Sequence, residues 1–126
     1  MWNFVLAYAA IMVVMFVLDA IWLGWLAKGF YRRGMSRAVV FEVRWWAAML
    51  FYLLHAAGVL YFAVVGVDSF CTVLFRGAFF GLATYGTYNL TNLATVKNWP
   101  VGVAALDMAW GTLITMLSTL AAYAVL

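Results

Sequence analysis

Four long apolar stretches make up most of this sequence, and each is about as long as a membrane-spanning helix. They cover residues 3–27, 45–65, 77–96 and 101–126. A helix needs about 20 apolar residues to cross the roughly 30 Å hydrocarbon core of a bilayer. The stretches are continuously apolar instead of alternating with period two, which disfavours a transmembrane β-barrel. We therefore predict an all-α integral membrane protein in which residues 1–126 form one transmembrane domain, a four-helix bundle.

Charge is too scarce for a soluble domain. Only 9% of the residues are charged and 70% are hydrophobic, whereas an ordinary soluble domain has about 25% and about 45–50%. A small compact domain could not bury so much apolar surface. The net charge of +3 does not indicate a nucleic-acid partner, because five of the seven basic residues lie in the connection 28–44. Cys71 is the single cysteine, so no intramolecular disulfide can form.

The distribution of Lys and Arg predicts the orientation of the bundle. Six of the seven basic residues fall on one side, five in the connection 28–44 and the sixth, Lys97, in the turn 97–100. Because the side rich in Lys and Arg is usually cytoplasmic, we expect both termini on the outer, periplasmic side. Arg76 lies near the outer end of the third helix, and we expect its side chain to extend to the interface.

The basic connection between the first two helices has two explanations. Determining the topology accounts for its charge by itself. The alternative is contact with anionic lipid headgroups, which basic clusters beside a transmembrane helix attract. The candidate headgroup ligands are Arg32, Arg33 and Arg37.

Two acids lie inside the predicted spans, where an ionisable side chain costs about 2.5–3.5 kcal/mol. At a rise of about 1.5 Å per residue, Asp19 lies about 12 Å and Asp107 about 9 Å from the inner ends of their helices. Asn89 and Asn92 of the third helix lie at a similar depth, about 10 and 6 Å from its inner end. Three antiparallel helices thus carry their most polar groups at one level of the cytoplasmic leaflet.

The polar residues also share helical faces. Tyr85, Asn89 and Asn92 follow the i, i+4, i+7 spacing of one stripe, and tryptophans accompany both acids. We predict an inner-leaflet cavity lined by Asp19, Trp22, Tyr85, Asn89, Asn92, Asp107 and Trp110. Two acids with aromatic walls would attract a small solute, a cation or a proton. A polar zipper of hydrogen bonds between the helices, worth about 0.6–2 kcal/mol each, explains the same stripe without a ligand, and the sequence leaves both explanations open.

Enzymatic motifs do not stand out in this chain. We find no nucleophile elbow, P-loop, dinucleotide fingerprint or paired-histidine motif. His55, near the midplane of the second helix, has no second His or Cys at metal-ligand spacing, so we expect a hydrogen-bonded packing residue and neither a metal nor a cofactor. Acid/base chemistry by the carboxylate pair keeps a lipid-modifying enzyme as one alternative. Another is an accessory or assembly subunit of a larger membrane complex, or a homo-oligomer.

Several segments carry a resemblance to a known family. They are Leu18-Asp-Ala-Ile-Trp-Leu-Gly24, Phe51-Tyr-Leu-Leu54, Gly58-Val-Leu-Tyr-Phe62, Tyr88-Asn-Leu-Thr-Asn-Leu-Ala-Thr95, Trp99-Pro100 and Asp107-Met-Ala-Trp-Gly111. The chain resembles the domain of unknown function 2177 family. This resemblance implies a four-helix protein of the bacterial inner membrane and implies no activity. The family pattern often has Asp where this chain has Asn89, so the resemblance implies one acid fewer in the cluster here.

The predicted orientation can be tested with single cysteines placed in the two turns. In a Cys71→Ser background, Asp68→Cys in the outer turn should react with a membrane-impermeant maleimide added to intact spheroplasts. The matched variant Lys97→Cys should react only after the membrane is permeabilised, because the positive-inside rule places it in the cytoplasm. Labelling of Lys97→Cys in intact spheroplasts would reverse the predicted orientation.

Overall fold

The computed structural model describes residues 2–22, 24 and 44–126, and these residues form four helices without a strand. The helices are α1 (Trp2–Ile21), α2 (Trp45–Val59, continued by a π-helical turn, Leu60–Val64), α3 (Phe70–Thr95) and α4 (Val101–Val125). By length and composition, α1, α4 and α2 with its π-helical turn can each cross a membrane. α3 is long enough, with 26 residues. The polar residues in its second half make it less hydrophobic than the other three helices, so it is not among these candidate spans. The molecule is a helical bundle of membrane type.

The third helix begins earlier than the sequence predicts. We expected its span to start at 77, and the sequence did not decide whether 70–76 extended it. In the structure α3 starts at Phe70, directly after the extended residue Ser69. Arg76 therefore lies within a continuous helix, with its side chain exposed. The reason is that a charged residue marks the edge of the hydrocarbon core, whereas intrahelical hydrogen bonds can continue past that edge.

Both described turns reverse the chain through a residue with positive φ. Gly66 has φ 75° in the turn between α2 and α3, and Asn98 has φ 67° in the turn between α3 and α4. Glycine adopts this conformation without strain, and Asn is one of the few other residues that tolerates it. The hydroxyl of Tyr123 donates to the backbone oxygen of Asp68 at 3.2 Å, which ties the end of α4 to the first of these turns.

α4 is the central helix of the bundle. It packs along α3, along α1 and against the π-helical turn of α2. It buries eight residues, more than any other described helix. Its buried hydroxyls include Ser118 and Thr119, which donate to backbone oxygens of the preceding turn at 2.8 and 2.7 Å. These polar side chains therefore satisfy themselves within their own helix and leave the helix surface free to pack.

Small residues bring α3 and α4 into close contact. A Cβ atom on Gly77 would collide with the side chain of Thr119, and one on Gly81 would lie 2.5 Å from the backbone oxygen of Gly111 and 2.7 Å from Thr115 Cβ. The small-xxx-small pattern at 77–81 thus faces α4. Close backbone approach of this kind stabilises membrane helix pairs by van der Waals packing, since apolar helices gain little by leaving lipid.

α2 is held against the bundle mainly at one end. Its π-helical turn packs against α1, α3 and α4, whereas the backbone of Trp45–Val59 lies mainly against α1. The first half of α2 reaches α3 and α4 through long side chains, among them Phe51 and His55. This arrangement leaves an open space between α2 and the α3–α4 pair at the end of the bundle where α2 begins.

Large apolar side chains cover the outward faces of the helices. Those exposed by more than half include Trp2, Val13, Trp45, Trp46, Leu54, Tyr61, Phe75 and Phe79. Soluble monomers rarely expose apolar patches of this extent. These faces contact the lipid bilayer, and the adjacent Trp45 and Trp46 at the start of α2 suit the aromatic belt of a membrane boundary.

The close α3–α4 contact makes Gly81 intolerant of a side chain. We expect Gly81→Ala to lower the free energy of unfolding by about 1–3 kcal/mol, because the new methyl group meets backbone that cannot move aside cheaply. Gly86→Ala is the matched control on the same helix. Its Cβ would lie 3.3 Å from the flexible end of Met108, and the gain in helix propensity, up to about 1 kcal/mol, should offset that contact. Unfolding in mixed micelles followed by circular dichroism measures both variants. Equal tolerance of the two would contradict the proposed tight contact.

Candidate functional site

A cavity of about 540 Å³ lies between the helices at the end of the bundle where α1 ends and α2 begins. It is formed by the last turn of α1, the first turns of α2, the second half of α3 and the first half of α4. The lining residues are Asp19, Trp22, Ala48, Phe51, Tyr52, Thr84, Tyr85, Tyr88, Asp107 and Trp110. Five of the seven predicted site residues therefore line this cavity: Asp19, Trp22, Tyr85, Asp107 and Trp110.

Asp19 joins three helices through its two carboxylate oxygens. It is 8% exposed. Its Oδ1 accepts a hydrogen bond from Trp110 Nε1 on α4 at 2.8 Å, and its Oδ2 accepts one from the hydroxyl of Tyr52 on α2. A buried acid is costly unless donors meet its oxygens. These two bonds meet that need and fix the direction in which the carboxylate points.

Asp107 is positioned by the third helix. Asn89, which is fully buried, donates from Nδ2 to Asp107 Oδ2 at 2.7 Å and to the backbone oxygen of Tyr85 at 2.9 Å. Asn89 does not itself line the cavity; it supports Asp107 from behind. The side-chain amide of Asn89 therefore links Asp107 of α4 to the backbone of α3.

Aromatic rings form most of the remaining wall. Trp22 and Trp110 stack with centroids 4.4 Å apart and planes 7° apart. Tyr85 lies over Gly111, where the ring occupies the space that any Cβ atom would need. The absence of a side chain at Gly111 thus allows Tyr85 to lie flat against α4 beside the two acids. Phe51 meets Tyr85 edge to face at 6.1 Å.

Asn92 and the three candidate headgroup ligands are the remaining predicted site residues. Asn92 is half-buried and interacts with the hydroxyl of Tyr88 one turn earlier on α3. It is not among the residues that line the cavity. The headgroup candidates Arg32, Arg33 and Arg37 lie outside the described residues, and so does nearly all of the basic connection.

Sequence reasoning missed Tyr52, the residue of α2 that binds Asp19. The segment around it reads as a purely apolar span, and a tyrosine there is easily taken for a lipid-facing residue. Its depth was the available signal: Tyr52 lies seven residues after the start of α2 at Trp45, about 10 Å from the end of the helix and level with Asp19. Ala48, Phe51, Thr84 and Tyr88 also line the cavity and were not predicted.

His55 lies deeper in the bundle, behind the cavity wall. It is 3% exposed, and its Nε2 is 3.0 Å from Thr115 Oγ1. Its ring stacks on Phe51 and Phe80 with both centroid distances 5.3 Å, and it meets the edge of Tyr85 at 5.8 Å. These contacts are those of a hydrogen-bonded packing residue. Among residues 2–22, 24 and 44–126, no three His, Cys, Asp or Glu side chains come together as metal ligands.

Comparison with known proteins gives one match. The model of a family described as "Predicted membrane protein (DUF2177)" matches residues 4–124, nearly the whole chain. No curated protein and no solved structure matches the chain significantly.

The bond between Asn89 and Asp107 should be measurable as a coupling energy. In a double-mutant cycle with Asn89→Ala and Asp107→Ala, we expect the two losses of stability to be non-additive by about 0.6–2 kcal/mol, the range for hydrogen bonds between membrane helices. The control cycle pairs Asn89→Ala with Asp68→Ala in the distant turn, where the losses should add to within about 0.5 kcal/mol. Both cycles use unfolding in mixed micelles. Additivity in the first cycle would mean that the amide does not hold the acid.

Proposed function

Because this chain belongs to the DUF2177 family of predicted membrane proteins, we propose a function exercised inside a bilayer. The protein is a small non-enzymatic membrane protein whose polar cavity binds or passes a small solute, a cation or a proton. We place it in the bacterial inner membrane, with both termini outside and the cavity opening from the cytoplasmic leaflet. The concentration of basic residues in the sequence between α1 and α2, together with Lys97, supports this orientation.

One observation carries the proposal: two acids from different helices lie on the wall of a single cavity, each held by hydrogen bonds from another helix. Asp19 is oriented by Tyr52 and Trp110, and Asp107 is oriented by Asn89. Acids within membrane spans are rare and usually face a functional cavity or a binding partner. Side chains fixed in this way are pre-organised, so a ligand does not have to order them on binding.

The polar zipper explains the hydrogen bonds but not the space beside them. If the acids served only to join helices, neighbouring side chains would be expected to fill the volume around them, as they do along the α3–α4 contact. Instead, about 540 Å³ lies against both carboxylates, within the range of about 300–1,000 Å³ typical of small-molecule sites. We therefore infer that the hydrogen bonds between the helices position the two acids and that the cavity binds the ligand.

An accessory subunit of a larger membrane complex, or a homo-oligomer, is the second candidate. The observation that favours it is the aromatic surface of α3, where Phe75 and Phe79 stack at 6.4 Å with both rings largely exposed. A partner helix could pack on these rings. Lipid accepts the same side chains without a partner, so we place this candidate behind the cavity.

Reconstitution into proteoliposomes tests the proposed function. With a trapped pH-sensitive dye and an imposed inward proton gradient, we expect the wild-type protein to acidify the vesicle lumen at least about tenfold faster than Asp19→Asn or Asp107→Asn. The reason is that a hydrogen bond or ion pair to a charged group is worth about 1.5–3 kcal/mol, and the amides cannot accept a proton. The same comparison is made with sodium and with radiolabelled amines as the transported species.

The control for that experiment is Asp68→Asn. It removes an exposed acid in the turn at the opposite end of the bundle and should transport like the wild type. If wild type, Asp19→Asn and Asp107→Asn behave alike with protons, sodium and amines, the cavity has no such function.

A further inference from the structure

The composition of the cavity wall indicates the chemical class of its ligand. Among the ten lining residues in the part of the chain that the structure describes, six are aromatic, two are acids and none is basic. We propose that the cavity takes a monovalent organic cation, an amine or a quaternary ammonium ion that carries an apolar body. This inference rests on the proposed function and narrows its three ligand classes to one.

The charges of the cavity wall favour a positively charged ligand. Asp19 and Asp107 line the same cavity, so their carboxylates repel each other when both are ionised. In the low-dielectric interior of a bundle such repulsion is much stronger than in water. A cation beside the two carboxylates relieves it, whereas an anion would add a third negative charge, and none of the described lining residues is basic. The two acids therefore disfavour an anion by repulsion.

The rings select an organic cation over an inorganic one. Divalent cations such as calcium coordinate about six to eight oxygen atoms, and both oxygens of Asp19 already accept hydrogen bonds from the protein. Aromatic faces supply no such ligands. They attract soft cations through the ring quadrupole, most strongly for Trp, and recognition of quaternary ammonium ions is the best-known use of this interaction. The stacked pair Trp22 and Trp110 lies directly beside Asp19.

The rest of the wall suits an apolar body and not a sugar. Phe51, Ala48 and the ring of Tyr85 form an apolar surface on the side of α2 and α3. A polyhydroxylated ligand needs many free hydrogen-bonding groups, and the donors that Tyr52 and Trp110 contribute here already bond to Asp19. An ammonium group near the acids with hydrocarbon against this apolar surface satisfies both parts of the wall.

Three soluble probes of similar size and different charge test the inference. Titration calorimetry on the full chain in nanodiscs compares benzyltrimethylammonium, benzyl alcohol and benzenesulfonate, which are a cation, a neutral molecule and an anion with the same ring. We expect the wild type to bind the cation at least tenfold more tightly than the neutral probe and to show no saturable binding of the anion. This charge selectivity is measured on the unaltered protein, so it does not depend on whether a variant folds.

Variants then assign the binding to the cavity. We expect Asp19→Asn and Asp107→Asn to weaken cation binding at least tenfold, and Trp22→Leu to weaken it about three- to thirtyfold through loss of a cation–π face. Asp68→Asn, in the distant turn, should bind like the wild type. Equal affinity for all three probes would overturn the inference, and so would cation binding that both acid variants retain.

The outcomes also separate this inference from the proposed function. Transport of protons or sodium that requires Asp19 and Asp107, without binding of benzyltrimethylammonium, would overturn the ligand class while the proposed function stands. The absence of both probe binding and acid-dependent transport would overturn the two together.

Discussion

The hydrogen bonds accepted by Asp19 are the constraint on which the arrangement of the helices depends. An acid within an apolar bundle must have donors for its oxygens, because neither lipid nor apolar side chains can supply them. Its donors come from different helices, Tyr52 from α2 and Trp110 from α4. The hydrogen bonds to the Asp19 carboxylate therefore constrain the rotation of α2 and α4 about their axes. Asn89 extends the same network to α3 through Asp107, so all four helices meet at one level.

The two ends of the bundle are packed by different means, and the cavity is the consequence. α3 and α4 approach closely wherever glycines oppose Thr115, Thr119 or one another, and the π-helical turn of α2 closes on both. Toward the other end, α2 contacts α3 and α4 mainly through long side chains such as Phe51 and His55. The space between α2 and the α3–α4 pair is not completely filled by side chains and forms the cavity. The acids project into that space instead of being enclosed by packing.

Buried polar side chains continue beyond the cavity into the centre of the bundle, where His55 contacts Thr115. Phe51 and Tyr85 line the cavity on one side and contact His55 on the other, so two rings separate the acids from the bonded pair His55 and Thr115. Farther from the cavity, the hydroxyls of Ser118 and Thr119 donate to the backbone of α4 itself. Gly77 of α3 packs directly against Thr119. The structure is thus open near the acids, partly polar at its centre and tightly packed toward the opposite end.

Sequence by itself determined the membrane class and the number of helices, and it predicted the depth of the polar groups. These follow from composition, the length of the apolar stretches and a constant rise per residue, which are local properties of the chain. The family assignment was equally accessible, because it depends on the order of motifs along the chain. Only the tertiary structure decided which polar groups meet. The rotation of each helix about its axis depends on contacts with the others, so the bond of Tyr52 to Asp19, the position of Asn89 behind the wall and the exclusion of Asn92 could not be read from spacing. The early start of α3 was hidden for a related reason: Arg76 marks the edge of the apolar core, and only the folded helix shows that backbone hydrogen bonding continues beyond it.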